Sequence, residues 1–125
     1  MKKIETSNAP GAIGPYSQGM VSGKLVFTSG QIPLDPKTGA IAGDTIEAQS
    51  EQALKNLQAV LEAGGAGLQT VIKTTCFLAD MGDFAAFNAV YAKYFTGDCP
   101  ARSCVAVKTL PKNVLVEVEA IAEVL

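Results

Sequence analysis

The sequence of 125 residues contains no histidine, and this absence removes the most common general base and the most common metal ligand of proteins. Every serine–histidine or cysteine–histidine nucleophile pair is excluded with it. The three cysteines, Cys76, Cys99 and Cys104, lack CxxC spacing and are odd in number, which fits free thiols better than a disulfide framework or a zinc site. Glycine-rich phosphate loops are also absent. We therefore expect no metal and no cofactor, and a carboxylate as the base of any enzymatic reaction.

Excess charge of one sign and long apolar runs are absent as well. Lysine and arginine total 10 against 12 aspartates and glutamates, which is not the basic balance of a nucleic-acid binder. Apolar runs such as 105–107 are far too short to cross a bilayer, and Met1-Lys2-Lys3 is not followed by an apolar signal core. We expect a cytoplasmic protein that binds neither nucleic acid nor membrane. Its length favours one domain over residues 1–125.

The spacing of apolar residues predicts the order strands, helix, strand, helix, strands. The predicted strands cover 16–21, 25–32, 71–78, 102–108 and 114–124. Asp44 and Glu47 form a capping-box pattern at the start of the first helix, and Gly64-Gly65 end it by supplying a left-handed cap. The second helix is predicted over 82–95. Few helices and mostly neighbouring strands favour an α+β fold, with a single mixed β-sheet and both helices packed on one face.

The last two predicted strands place charges on a face that the helices do not cover. Alternate residues of 114–124 are all apolar from Val114 onward and are expected to lie under the helices. The other set mixes three glutamates with large aliphatic residues. A solvated outer face with a surface salt bridge is one interpretation. We favour a second copy of the chain as the cover, because a solvated face would expose an apolar patch.

The alternation of side chains along these two strands predicts which charged residues share that face. If the apolar sets of both strands face the helices, Arg102 and Cys104 lie on the other side with Glu117 and Glu119. An arginine fork can bind a substrate carboxylate through two hydrogen bonds, and a shielded carboxylate can orient or deprotonate water. Arginine–glutamate pairs on sheets are usually structural, so the pair alone does not establish catalysis.

Several motifs, in the same order along the chain, resemble those of the YjgF/RidA family of enamine/imine deaminases. The signature-like segment is 100–111, followed by 116–118. Further matching segments are 12–18, 28–33, 71–75 and 84–88. The resemblance thus extends over essentially the whole chain.

The resemblance implies a chorismate-mutase-like fold and a homotrimer with three clefts between subunits. It also implies an enzyme, a 2-iminobutanoate/2-iminopropanoate deaminase, that works without cofactors. Such proteins hydrolyse 2-imino acids and their enamine tautomers, including 2-aminoacrylate, to 2-oxo acids and ammonia. The expected partners are therefore these small molecules and two further copies of the chain.

The same resemblance carries residue roles to this sequence. Arg102 would bind the substrate carboxylate and Glu117 would hold the attacking water, as the catalytic pair. The substrate-binding positions are expected to be Tyr16, Ser29, Gly30, Asn88, Arg102 and Cys104. Tyr16 would close the cleft from the neighbouring subunit, and Cys104 would contribute backbone contacts because nothing nearby activates its thiol.

Each of these positions has a structural alternative. Tyr16 fits core packing, Gly30 a β-bulge, Asn88 a solvent-facing helix position and Glu119 an interface charge. Cys99 departs from the family pattern, which commonly has an aromatic residue there, and this leaves the substrate preference open.

The function also has alternatives. One is a trimeric protein that binds 2-oxo acids or amino acids without turnover, which would not require Glu117. Ribonuclease activity, ascribed to some members of the family, is disfavoured by the net charge of −2.

Overall fold

The computed structural model describes all 125 residues, and six strands form one mixed sheet with two helices on one face. The strands are β1 (Lys2–Ile4), β2 (Gly19–Ser22), β3 (Leu25–Thr28), β4 (Val71–Leu78), β5 (Ala101–Ala106) and β6 (Val116–Glu123). The helices are α1 (Ile46–Ala63) and α2 (Phe84–Tyr94), and short 3-10 turns lie at Leu68–Thr70, Met81–Asp83 and Pro111–Asn113. The order across the sheet is β1-β2-β3-β6-β4-β5.

The position of β6 corrects the predicted pairing of the last two strands. The predicted strands 102–108 and 114–124 are not neighbours, because β4 lies between β5 and β6. Strand β5 pairs with β4 in parallel, whereas the other neighbouring strands are antiparallel. A parallel neighbour needs a crossover connection, and α2 supplies it between β4 and β5. The pattern within each strand does not reveal this long-range order.

Helix α1 ends as predicted, but it begins differently. Thr45, not Asp44, is the N-cap, and its side-chain oxygen accepts a hydrogen bond from the Ala48 backbone N–H. Asp44 and Glu47 therefore do not form the predicted capping box. Aspartate and threonine are both preferred N-cap residues, and the helix begins after Thr45 and not after Asp44. At the other end Gly65 has a φ of +86°, the left-handed conformation that favours glycine after a helix.

The core lies between the two helices and one face of the sheet. Alternate residues of β6 are buried against the helices, as predicted for this strand. The largest buried side chains on this side include Leu54, Leu57, Leu61, Phe87, Leu78, Val116 and Val118. Burial of each such side chain stabilises the fold by about 1.5–3 kcal/mol.

Strands β2 and β3 are shorter than the predicted strands 16–21 and 25–32. The early end of β3 is explained by contacts beside the candidate site. Strand β3 ends at Thr28, whose hydroxyl oxygen accepts a hydrogen bond from the Ala120 backbone N–H at 3.0 Å. The chain returns to β6 only at a bridge between Gln31 and Val118. One extra residue is accommodated between these pairings, so Ser29 and Gly30 bulge out of the ladder.

Neither helix has the length and apolar character that crossing a membrane requires.

Candidate active site

The first group of candidate residues surrounds Arg102 on β5. Arg102 is paired with Thr74 of β4, whose side chain is buried beneath the helices. Its Nη1 donates a hydrogen bond to Asn88 Oδ1 on α2 at 2.8 Å. The guanidinium carbon lies 5.4 Å from the ring centroid of Phe84 and 4.8 Å from that of Tyr91. Asn88 is thus turned toward Arg102 and not simply toward solvent, and the guanidinium is held while most of its N–H donors remain available.

Cys104 follows on the same side of β5. It is paired with Cys76 of β4, which is fully buried. Burial raises the pKa of the Cys104 thiol, and the nearby Arg102 charge offsets only part of this effect. A neutral thiol is a poor nucleophile. The chemistry at this position therefore favours the predicted backbone role, which stays a prediction.

The second group lines a cleft of about 380 Å³ at the bulge after β3. Its lining residues are Ile13, Tyr16, Ser29, Gly30, Ile32, Pro111 and Glu117. Tyr16 is half exposed, and its hydroxyl oxygen accepts a hydrogen bond from the Ile13 backbone N–H at 3.4 Å. Tyr16 is therefore not a core residue in this chain. The cleft brings together four of the predicted site residues from three separate segments.

The loop that carries Tyr16 is anchored by a buried glutamine. Gln18 donates through its side-chain amide to the backbone oxygens of Thr6 and Pro10, and its Oε1 accepts from the Thr6 N–H. Ser29 adds a second anchor, since its hydroxyl donates to the Ser17 carbonyl and its N–H to the Gln18 carbonyl. The Ser29 hydroxyl hydrogen is thus engaged within the chain. What Ser29 has left to offer a ligand is chiefly acceptor capacity.

The constraint at Gly30 is a steric contact and does not come from backbone conformation. A Cβ atom at this position would overlap the carboxylate of Glu117. The φ angle of Gly30 is outside the left-handed region, so an alanine would meet no backbone strain there. The bulge and the absence of a side chain at Gly30 together leave space for the Glu117 carboxylate. The structural alternative for Gly30, a β-bulge, is confirmed, and its expected contact with the ligand stays a prediction.

Glu117 lies in the cleft without a cationic partner. It is half-buried on β6, and burial raises the pKa of its carboxyl group, with a smaller contribution from the charge of Glu119. The expected ionised carboxylate beside an arginine is therefore absent from the single chain. Some protonated Glu117 persists at a pH where an ordinary glutamate would be fully ionised.

The prediction that Arg102 and Glu117 share one face of the sheet is wrong for the single chain. Arg102 is paired with Thr74 and Glu117 with Phe77 of the same strand, β4. Thr74 and Phe77 are three residues apart, so their side chains point to opposite faces. Arg102 and Cys104 face α2, whereas Glu117 and Glu119 lie on the open face.

The error follows from the assumption that apolar residues of β5 would face the helices. Val105 is instead 46% exposed on the open face. Arg102 lies under α2 because Asn88 and two aromatic rings of that helix provide partners for a guanidinium. The Asn88 hydrogen bond and the two ring contacts stabilise the guanidinium on this side of the edge strand.

Comparison with known proteins decides the family. Residues 6–124 match the family described as Endoribonuclease L-PSP, the YjgF/RidA family. The chain belongs to this family.

Members similar to the chain carry different names. A relative in Lactococcus lactis with a regulator's name, AldR, is 55% identical and covers 99% of this chain and 98% of its own. The 2-iminobutanoate/2-iminopropanoate deaminase of Salmonella typhimurium is 54% identical over 97% of this chain and 96% of its own. A solved structure of E. coli TdcF with bound serine superposes with a TM-score of 0.94 at 48% identity, covering 98% of each chain. These matches establish the YjgF/RidA family and fold for this chain, whereas the names do not settle one activity.

Several residues around this YjgF/RidA site did not stand out in the sequence. Thr74 and Tyr91 support Arg102, and Pro111 lines the Glu117 cleft. One signal was available, because Phe84, Asn88 and Tyr91 are spaced by four and three residues and so share one helix face. That face becomes meaningful only when β5 is known to lie beneath α2.

Proposed function

We propose that the chain hydrolyses 2-imino acids and their enamine tautomers to 2-oxo acids and ammonia, at a site completed by a second copy of the chain. The observation that carries the proposal is the division of the site into two incomplete halves. Arg102 offers a carboxylate-binding fork on one face, and Glu117 offers a carboxylate in a cleft on the other. Neither half alone can both hold and hydrolyse an imino acid. The deaminase name of a relative at 54% identity supports the same reaction.

A ring of copies would complete every site. If the cleft of one copy meets the β5 side of the next, each contact joins one Glu117 to one Arg102. Such head-to-tail contacts close into a ring when the rotation between neighbouring copies permits. We propose that the ring is the trimer that the YjgF/RidA resemblance implies. The open face supplies apolar surface for this contact, since Phe27 is 40% and Val105 46% exposed.

The proposed chemistry needs only these groups. Arg102 binds the substrate carboxylate and fixes the position of the imine carbon. Glu117 accepts a proton from water as the water oxygen bonds to the carbon of the protonated imine and the C=N π electrons move to nitrogen, which gives a neutral carbinolamine. The Glu117 carboxyl group then returns this proton to the nitrogen and the C–N bond breaks. Ammonia leaves as the hydroxyl oxygen gives its remaining proton to the Glu117 carboxylate and forms the C=O bond of the 2-oxo acid. An imine carbon is already electrophilic, so positioning and one proton carrier suffice.

The decisive experiment measures turnover of an imino acid that a serine or threonine dehydratase generates in the assay. We expect the wild-type chain to accelerate formation of the 2-oxo acid, and Arg102→Ala and Glu117→Gln each to lose this acceleration. Wild-type turnover equal to the uncatalysed rate would refute the deaminase proposal.

Mixing the two inactive variants tests whether the site is shared between copies. Co-expressed Arg102→Ala and Glu117→Gln chains would form some contacts in which both functional residues are intact. Random assembly of equal amounts predicts recovery of about one quarter of the wild-type activity. No recovery from demonstrably mixed oligomers would place both residues in one copy and contradict the proposed arrangement.

Binding without turnover is the second candidate, favoured by the regulator's name of one relative and by the serine bound to TdcF. The Arg102 fork would serve a 2-oxo acid or an amino acid equally well. Glu117 separates the two functions, since binding alone does not require it. A wild-type chain that binds 2-oxobutanoate, with no acceleration in the coupled assay, would establish the binding function instead.

A further inference from the structure

Arg102 rests on a buried aromatic residue to which the proposed reaction assigns no role. The ring centroid of Tyr91 lies 4.8 Å from the Arg102 guanidinium carbon, within the range of a cation–π contact. Tyr91 is only 6% exposed. A desolvated contact of this kind is stronger than the same contact at the surface. The ring is therefore well placed to influence the orientation of the guanidinium.

Tyr91 is itself fixed at both ends. Its hydroxyl group lies 2.8 Å from Thr74 Oγ1, in a buried hydrogen bond. Its ring packs against Phe87 and Phe95, with centroid distances of 5.6 Å and 4.5 Å. Burial raises the pKa of the Tyr91 hydroxyl, so the group is a neutral phenol. A side chain constrained in this way presents a single ring surface to its neighbour.

Thr74 links this support to the strand that carries the arginine. Thr74 on β4 is the register partner of Arg102 on β5. The hydrogen bond from the strand to Tyr91 thus ties α2 to the sheet directly beside the guanidinium. Asn88, on the same helix face, binds Nη1 of Arg102 at 2.8 Å. The helix and the strand together define where the remaining N–H donors point.

We propose that Tyr91, held by Thr74, is a positioning residue that presets the Arg102 guanidinium for a substrate carboxylate. This inference rests on the proposed carboxylate-binding role of Arg102. A long arginine side chain on an edge strand would otherwise have to be ordered on binding, and such ordering weakens affinity. The pair Tyr91–Thr74 removes part of that loss before the ligand arrives.

The test uses variants that alter the hydrogen bond and keep the packing. Tyr91→Phe retains the ring, and Thr74→Val retains the shape of threonine. We expect each to raise the Kd of 2-oxobutanoate about threefold to tenfold, and to raise KM with kcat nearly unchanged. The two effects should not add in the double variant, because both remove the same hydrogen bond. Thr74→Ser keeps the hydroxyl group and should restore affinity.

Tyr94→Phe is the matched control. Tyr94 lies on the same helix, but its hydroxyl donates to Glu51 and not to a residue beside Arg102. Its removal should leave the Kd unchanged, whatever it does to the Tm. A Kd for Tyr91→Phe equal to that for Tyr94→Phe would overturn the proposal. Should Tyr91→Phe fail to fold, the comparison of Thr74→Val with Thr74→Ser decides in the same way.

Failure of this inference is distinguishable from failure of the proposed reaction, because binding of 2-oxobutanoate requires no turnover. A wild-type chain that binds without hydrolysing would refute the deaminase, and the variants would still confirm or overturn the role of Tyr91. A wild-type chain that binds no 2-oxo acid would overturn the carboxylate role of Arg102 and this inference with it.

Discussion

The two halves of the candidate site are built in opposite ways. Arg102 is surrounded by groups that stabilise its charge, namely the Asn88 oxygen and two aromatic rings. Glu117 is surrounded by groups that disfavour its charge, because the cleft buries it beside Glu119. A group that only binds a ligand benefits from a stable charge, whereas a group that exchanges protons benefits from a pKa nearer to working pH. The contrast matches the roles that we propose for the two residues.

Glu117→Gln is the strongest test of this contrast. We expect turnover to fall by about 10²–10⁴-fold, because the proton acceptor is lost, while the Kd of 2-oxobutanoate changes little. The amide removes a half-buried charge, so the Tm should rise. Arg102→Ala is the comparison variant and should lose binding instead. Equal loss of binding in both variants would show that the two halves do not have separate roles.

Gly30→Ala sharpens the comparison by disturbing the carboxylate half alone. The added Cβ would overlap the Glu117 carboxylate, so the carboxylate must move, and we expect kcat to fall about tenfold with little change in Kd. Gly11→Ala is the matched control, because a Cβ there meets no atom within 4 Å. If Gly30→Ala keeps full turnover, the space that Gly30 leaves for the Glu117 carboxylate has no part in catalysis.

Glu119→Gln should give the smallest effect, which is visible only in the pH dependence. Glu117 must be ionised to accept a proton, so kcat falls as pH decreases through its raised pKa. Removing the Glu119 charge lowers that pKa, and the acidic limb of the kcat profile should move to lower pH. Glu123→Gln, on the same strand, is the control and should leave the limb in place. A shift to higher pH would contradict the assigned electrostatics.

Local features of the fold were predictable because they depend on neighbouring residues. Strand β4 has the predicted bounds, and Gly65 forms the predicted left-handed cap because only its own conformation and the preceding turn are involved. The single mixed sheet with two helices also follows from the order of the elements.

The faces of the sheet on which Arg102 and Glu117 lie could not be predicted from the alternation of residues along each strand. They depend on β6 entering the sheet between β3 and β4 and on α2 crossing over β5. Both are contacts between residues far apart in the chain. Arg102 shows the consequence, since its face is decided by partners on α2 and not by the apolar pattern of its own strand.

The central place of β6 has a consequence for how the chain folds during synthesis. Thr74, Tyr91 and Arg102 belong to one continuous β4–α2–β5 stretch, so their mutual contacts require little loop closure. Strand β6 is the last of the six to leave the ribosome, yet it separates β3 from β4. The residues around Arg102 are therefore all synthesised before β6, and the β1–β2–β3 and β4–β5 parts of the sheet can be joined only when β6 inserts between them.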